Sequence, residues 1–143
     1  MSRLRGIFAM AIWDPRSHSV HLVRDHLGVK PLYCTRVRNR PLGKEVLLFA
    51  SEVRALLASG VVERRLDPAA VASYLCQGFV TGPATIPEGV NLLPAASILT
   101  MSPGKSAQDA NTQTLECYWR PPHPNCAPPP LMRDSMPLSG GPD

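Results

Sequence analysis

Few side chains in this sequence could act as nucleophiles. Ser2 follows Met1, and removal of the methionine would leave a hydroxyl beside a free α-amine, the pairing that N-terminal nucleophiles use. No base partner or oxyanion donor for Ser2 can be picked out. Cys34, Cys76, Cys117 and Cys126 are irregularly spaced and internal, so none carries a free α-amine next to its thiol. Cys34 and Cys76 stand in apolar stretches and read as small core residues. Cys117, His123 and Cys126 are zinc-type ligands, but their spacing fits no familiar finger and no fourth ligand is evident. Arg24-Asp25-His26 gathers residue types found in hydrolase sites. Neighbours along a strand point to opposite faces, so these three do not converge by themselves. A structural ion pair at a strand end is the simpler reading. No catalytic, cofactor-binding or metal-binding residue is therefore assigned.

These residues are positioned by elements that the pattern makes visible. Gly6 to Trp13 is a short continuous apolar run, read as a strand buried on both faces. Asp14-Pro15-Arg16-Ser17 turns the chain, and Val20 to Arg24 alternates as a second strand, so the two form a hairpin. Further strands are expected at Pro31–Cys34, Val46–Ala50 and Ile98–Met101, with one antiparallel sheet holding Ile7–Trp13, Val20–Arg24 and Val46–Ala50. Ser51 is expected to cap a helix near Glu52–Ala58 that Gly60 stops. A second helix, Pro68–Gln77, has Asp67 as its cap, Pro68 at the first helical position and Gly78 as its stop. Val71, Tyr74 and Leu75 are its expected apolar stripe. Phe79 to Glu88 reads as a Pro/Gly-punctuated loop.

Strands followed by helices suggest an α+β class. A strand apolar on both faces needs cover on both sides, and two short helices can cover only one, so a layer is expected to lie outside this set of elements. Eight of the 16 prolines fall between Pro121 and the end, which reads as a disordered or linker tail.

Composition narrows the function classes. Hydrophobic residues at 44% and charged residues at 18% are a globular balance. No apolar run approaches the roughly 20 residues of a membrane span, and no export signal is read at the N-terminus. Sparse cysteines favour a reducing cytoplasm. Residues 1–66 hold 12 Lys/Arg against 5 Asp/Glu, while residues 67–143 hold 3 against 6. Much of the basic excess is one loop, Arg36, Arg38, Arg40 and Lys44, without an aromatic to stack a base, so no nucleic-acid role is assigned.

The strand-turn-strand followed by Arg24-Asp25-His26-Leu27-Gly28-Val29-Lys30-Pro31-Leu32-Tyr33 resembles the later half of the class II glutamine amidotransferase domain of glutamine-hydrolysing asparagine synthetases. Leu4 to Asp14, Leu48 to Leu57, Asp67 to Gly78, Gly82 to Val90 and Tyr118-Trp119 are similar to that family in the same order. The resemblance runs from Leu4 to about Trp119. It implies domains at 1–119 (partial glutamine amidotransferase) and 120–143 (Pro-rich tail). The implied fold is a partial sandwich of antiparallel sheets with flanking helices, of the N-terminal-nucleophile (Ntn) hydrolase type. It also implies a parent activity: an N-terminal cysteine thiol attacks the glutamine amide, and ammonia is passed to an aspartyl-adenylate made with ATP and magnesium. The family's thiol, amine and glutamine-reading residues belong to a first half that this sequence does not match, since Leu4 corresponds to a position deep inside the domain. The expectation is thus a fragment inactive alone, with a homologous synthetase chain or a second copy as partner and with no cofactor of its own. Leu138-Ser139-Gly140-Gly141-Pro142-Asp143 resembles the family's Ser-Gly-Gly pyrophosphate loop. However, Pro142 removes a donor, so it is read as a relic or a coincidence.

Overall fold

The computed structural model describes residues 4–39, 44–103 and 112–121. Its elements are β1 (Ala9–Asp14), β2 (Ser19–Arg24), β3 (Tyr33–Asn39), β4 (Lys44–Ala50), α1 (Val53–Ala58), α2 (Pro68–Gln77), β5 (Asn91–Leu92), β6 (Ser97–Ser102) and β7 (Thr112–Cys117). Among the described residues every strand pairing is antiparallel and two helices accompany the strands, in keeping with the α+β expectation. The described residues divide into two compact units, one built on residues 4–30, 94–103 and 112–121, the other on residues 31–39 and 44–93.

The first unit is a four-stranded sheet in the order β1-β2-β6-β7. The β1–β2 hairpin closes on Asp14, whose carboxylate accepts the Arg16 N–H at 2.9 Å and the Ser17 hydroxyl at 2.7 Å. β2 is interior, and its consecutive residues Leu22 and Val23 are both fully buried. Because consecutive strand residues face opposite ways, β2 is the strand covered on both sides. This corrects the expectation for Ile7–Trp13: β1 is an edge strand, and Ile7, Ile12 and Trp13 are exposed. An apolar run reports potential for burial, whereas position in the sheet decides it. Polar pairs hold the β2–β6 register, with His21 Nδ1 2.9 Å from Thr100 Oγ1 and the Ser19 and Ser102 hydroxyls 2.8 Å apart.

The second unit is a three-stranded sheet in the order β4-β3-β5 with α1 and α2. Val46–Ala50 therefore lies in a different sheet from Val20–Arg24, correcting the single-sheet expectation. Residue pattern identifies strands but not which strand is the neighbour. Arg36 of β3 makes an ion pair with Glu45 of β4. Leu56, Val62 and Val90 are buried together, with Tyr33, Val37, Leu48, Val53 and Leu57 packed around them.

The helix α2 starts as its sequence directs. Asp67 accepts N–H bonds from Ala69 at 2.9 Å and Ala70 at 3.4 Å, Pro68 is at the first turn, and Gly78 closes the helix at φ 78°. The expected stripe is not the buried one. Ala70 is buried, whereas Tyr74 is exposed and Leu75 is 77% exposed. Cys76 is exposed too, against the core reading, while Cys34 is buried as expected. At α1 the cap is Glu52 rather than Ser51, and it makes no side-chain cap bond. The short strands β5 and β7 are additions to the expected elements. The Pro-rich tail lies outside the described residues from Pro122 onward.

Candidate functional site

The most organised polar feature is the loop that follows β2 in the first unit. Asp25 is 1% exposed, and its carboxylate is surrounded by backbone donors: the N–H groups of Leu27 (3.2 Å), Val29 (3.0 Å) and Lys30 (2.9 Å). Its own N–H donates to the Phe8 carbonyl, and its carbonyl accepts from Gly28 and Ala96. Burial alone would raise the Asp25 carboxyl, but the backbone N–H groups of Lys30, Val29, Leu27 and Phe8 hold it below the ordinary carboxylate range. The Arg24 guanidinium donates to the Lys30 carbonyl at 2.9 Å and to the Gly28 carbonyl. Side chain and backbone thus satisfy one another, which is the condition for burying charge.

Glycine is needed within this loop for two reasons. Gly28 has φ +65°, and a Cβ there would come to 3.0 Å from both Ala95 Cβ and Arg24 Cζ. The first penalises any L side chain, and the second leaves no room for one.

Beside the ion-pair reading of Arg24-Asp25-His26, this geometry gives Asp25 main-chain partners that these three residue types alone did not announce. The Asp25 carboxylate is occupied by main-chain N–H groups, and the His26 ring lies among Phe8, Tyr118 and Trp119. The three residues do not converge on a reaction centre. The loop is a turn whose carboxylate accepts three main-chain N–H groups, two on Oδ1 and one on Oδ2. The composition of the segment hinted at this, since Asp followed by a glycine turn is the pattern in which a carboxylate bonds nearby backbone. What the pattern omits is Tyr118, whose hydroxyl donates to the Arg24 carbonyl at 2.7 Å from 94 residues away.

The described cysteines differ in burial and partners. Burial pushes the Cys34 thiol up to about 11, so it is a poor source of thiolate. Cys76 is exposed on α2, and Cys117 donates from Sγ to the Trp119 carbonyl at 3.0 Å. Among the described residues no group of three His, Cys, Asp or Glu side chains could hold a metal ion. Ser2, His123, Cys126 and the Leu138–Asp143 segment lie outside the described residues.

The second unit contains an open cleft of about 370 Å³, lined by Tyr33, Val53, Val80, Thr85, Ile86 and Leu92 among others. Its wall is mostly apolar and carries no carboxylate, imidazole, amine or thiol. The Thr85 hydroxyl is buried and donates to the Val90 carbonyl at 2.7 Å, so it braces the loop. No described helix is long and apolar enough to cross a membrane.

Comparison with known proteins places this framework. The family described as Glutamine amidotransferase domain matches residues 1–119. Glutamine-hydrolyzing asparagine synthetase 1 of Bacillus subtilis (strain 168) is 34% identical over 103 residues, covering 71% of this chain and 15% of that protein. Asparagine synthetase 3 of the same strain is 33% identical over 103 residues, covering 71% of this chain and 16% of its own. The amidase chry2 of Gibberella zeae is 38% identical over 61 residues, covering 43% of this chain and 8% of that protein. The chain thus spans about one sixth of the length of the asparagine synthetases it matches. With a family match extending over most of its length, this chain belongs to the glutamine amidotransferase domain family.

Proposed function

We propose that residues 1–119 are the later, framework half of a class II glutamine amidotransferase domain, followed by a linker at 120–143. In this reading the domain serves an asparagine synthetase-like protein. Glutamine is hydrolysed at an N-terminal cysteine, and the released ammonia is joined to an aspartate activated by ATP and magnesium. The observation that carries the reading is the match of residues 1–119 to the family, together with similarity to two asparagine synthetases. The complete domain would have an Ntn-type sandwich fold of antiparallel sheets and helical layers, and the protein would work in the cytoplasm.

The chemistry assigns this stretch a supporting role. Amide hydrolysis by covalent catalysis needs a nucleophile, a base and oxyanion donors within one pocket. Here Cys34 is buried with a raised thiol pKa, and the Asp25 carboxylate is engaged by three N–H groups of its own loop. The expected contribution is shape: sheets and turns against which a first half carrying the thiol would pack. A homologous synthetase chain or a second copy is the natural partner, and the exposed Trp13, Leu75 and Phe79 suit such packing. The similarity to an amidase favours a second reading, in which the same framework serves an acceptor other than aspartate.

The test is to incubate the purified 143-residue chain with glutamine, then with aspartate, ATP and magnesium, measuring glutamate, ammonia and asparagine. No turnover above a buffer blank is expected. Activity should emerge when a polypeptide bearing the amidotransferase first half of the B. subtilis synthetase is added. Turnover by the chain alone, abolished by Ser2→Ala or by any Cys→Ala change, would overturn the framework assignment.

A further inference from the structure

Three aromatic contacts meet on one side chain of the first unit. The His26 ring lies 6.3 Å from Phe8, 5.3 Å from Tyr118 and 5.2 Å from Trp119, centroid to centroid. The interplanar angles are 85°, 82° and 77°, so every contact is edge-to-face, the arrangement that the ring quadrupole favours. Phe8 precedes β1, His26 follows β2, and Tyr118-Trp119 follows β7. One imidazole therefore joins three separate parts of the chain.

Hydrogen bonds run alongside these rings. The Tyr118 hydroxyl donates to the Arg24 carbonyl at 2.7 Å, and the Tyr118 N–H donates to the Ala96 carbonyl at 2.8 Å. Ala96 in turn donates its N–H to the Asp25 carbonyl at 2.8 Å. Ala96 holds φ at +52°, a conformation L residues rarely adopt, so its place between Asp25 and Tyr118 is imposed by its neighbours. The end of β7 is thus tied to the Arg24–Lys30 loop by two main-chain steps, one hydroxyl and one imidazole. Among the described residues β7 is an edge strand beside β6, and four of its six residues are exposed.

We propose that His26 is a latch: gripped by Phe8, Tyr118 and Trp119, it locks the end of β7 onto the Arg24–Lys30 loop and sets the direction in which the chain leaves past Trp119. His26 is a positioning residue in this scheme, and the sheet does not depend on it. The Asp25 carboxylate holds the loop with or without the imidazole, and the β6–β7 ladder runs from Ser97–Cys117 to Ser102–Thr112 without any contribution from the ring. Opening the latch should release Tyr118-Trp119 while the strands stay paired.

The chain carries two tryptophans, so a Trp13→Phe background leaves Trp119 as the single reporter. In that background His26→Ala should move Trp119 emission to the red and raise its acrylamide quenching constant about twofold or more, with the far-UV circular dichroism retained. His26→Phe, which restores an aromatic ring, should return both readouts to the parent values. His26→Leu, which restores bulk without a ring, should not. If His26→Ala fails to fold, the Leu and Phe variants decide alone: a difference between them supports the latch, and equal quenching overturns it. Unchanged Trp119 quenching in a folded His26→Ala chain overturns it as well.

Discussion

Two aspartates do the same local job in the two units, with different surroundings. Asp67 accepts N–H groups from Ala69 and Ala70 at the start of α2, where the bonds lie at or near the surface. Asp25 accepts N–H groups from Leu27, Val29 and Lys30 in a loop where it is 1% exposed. Water can replace the acceptor at Asp67 but has little access to the donors around Asp25. The same carboxylate-to-backbone motif is therefore a modest cap in one place and a structural requirement in the other. The cost of an unmade hydrogen bond follows burial rather than bond count.

The largest effect should come from Asp25→Ala. Three N–H groups in part-buried bonds lose their acceptor, and an N–H left unsatisfied away from water costs about 1–3 kcal/mol. A loss of about 3 kcal/mol in urea-unfolding free energy is expected, a large fraction of the roughly 5–15 kcal/mol that holds a domain folded. The charge adds a pH signature. The Asp25 carboxyl titrates lower in the folded chain than in the unfolded one, so its contribution is whole above the unfolded carboxylate range, about pH 4, and is lost as pH falls through the lower folded value. Asp25→Asn should flatten this part of the acid-unfolding limb. An acid limb identical to the parent's would mean that the loop does not depend on the ionised form.

A smaller loss is expected at the other aspartate. Asp67→Ala removes an N-cap and should cost about 1 kcal/mol by the same urea titration. If Asp67→Ala matched or exceeded Asp25→Ala, burial would not be what separates the two sites. The smallest effect should be at Leu75→Gln. The side chain is 77% exposed, so stability should change by less than about 0.5 kcal/mol. A loss near the ~2–5 kcal/mol of a core leucine would show that the face of α2 bearing Leu75 is covered in the chain as it exists in solution.

Much of the local structure was legible before any coordinates. The Asp67-Pro68 start and Gly78 stop of α2 came out at the expected residues because caps and stops are set by neighbours in sequence. The β1–β2 hairpin was legible for the same reason, with Asp14 bonding inside its own turn. The family, too, could be recognised from ordered motifs between Leu4 and Trp119.

Burial was the quantity the sequence did not determine. Leu75 and Cys76 have apolar neighbours along the chain, yet both are exposed on α2, while the small Ala70 is buried. Ile12 and Trp13 belong to the most apolar run in the sequence but stand on an edge strand, and the interior place went to β2. Helical and strand periods state which residues share a face, whereas what lies against that face depends on pairings between distant segments. Those pairings also made the polar core of the first unit. Asp25, Ala96 and Tyr118 are brought together only when β6 pairs with β2 and β7 with β6. The sequence by itself determined the first hairpin turn, the caps of α2 and the family. Tertiary structure alone decided which carboxylate is buried and which apolar side chains face water, because burial is set by contacts between residues far apart in the chain.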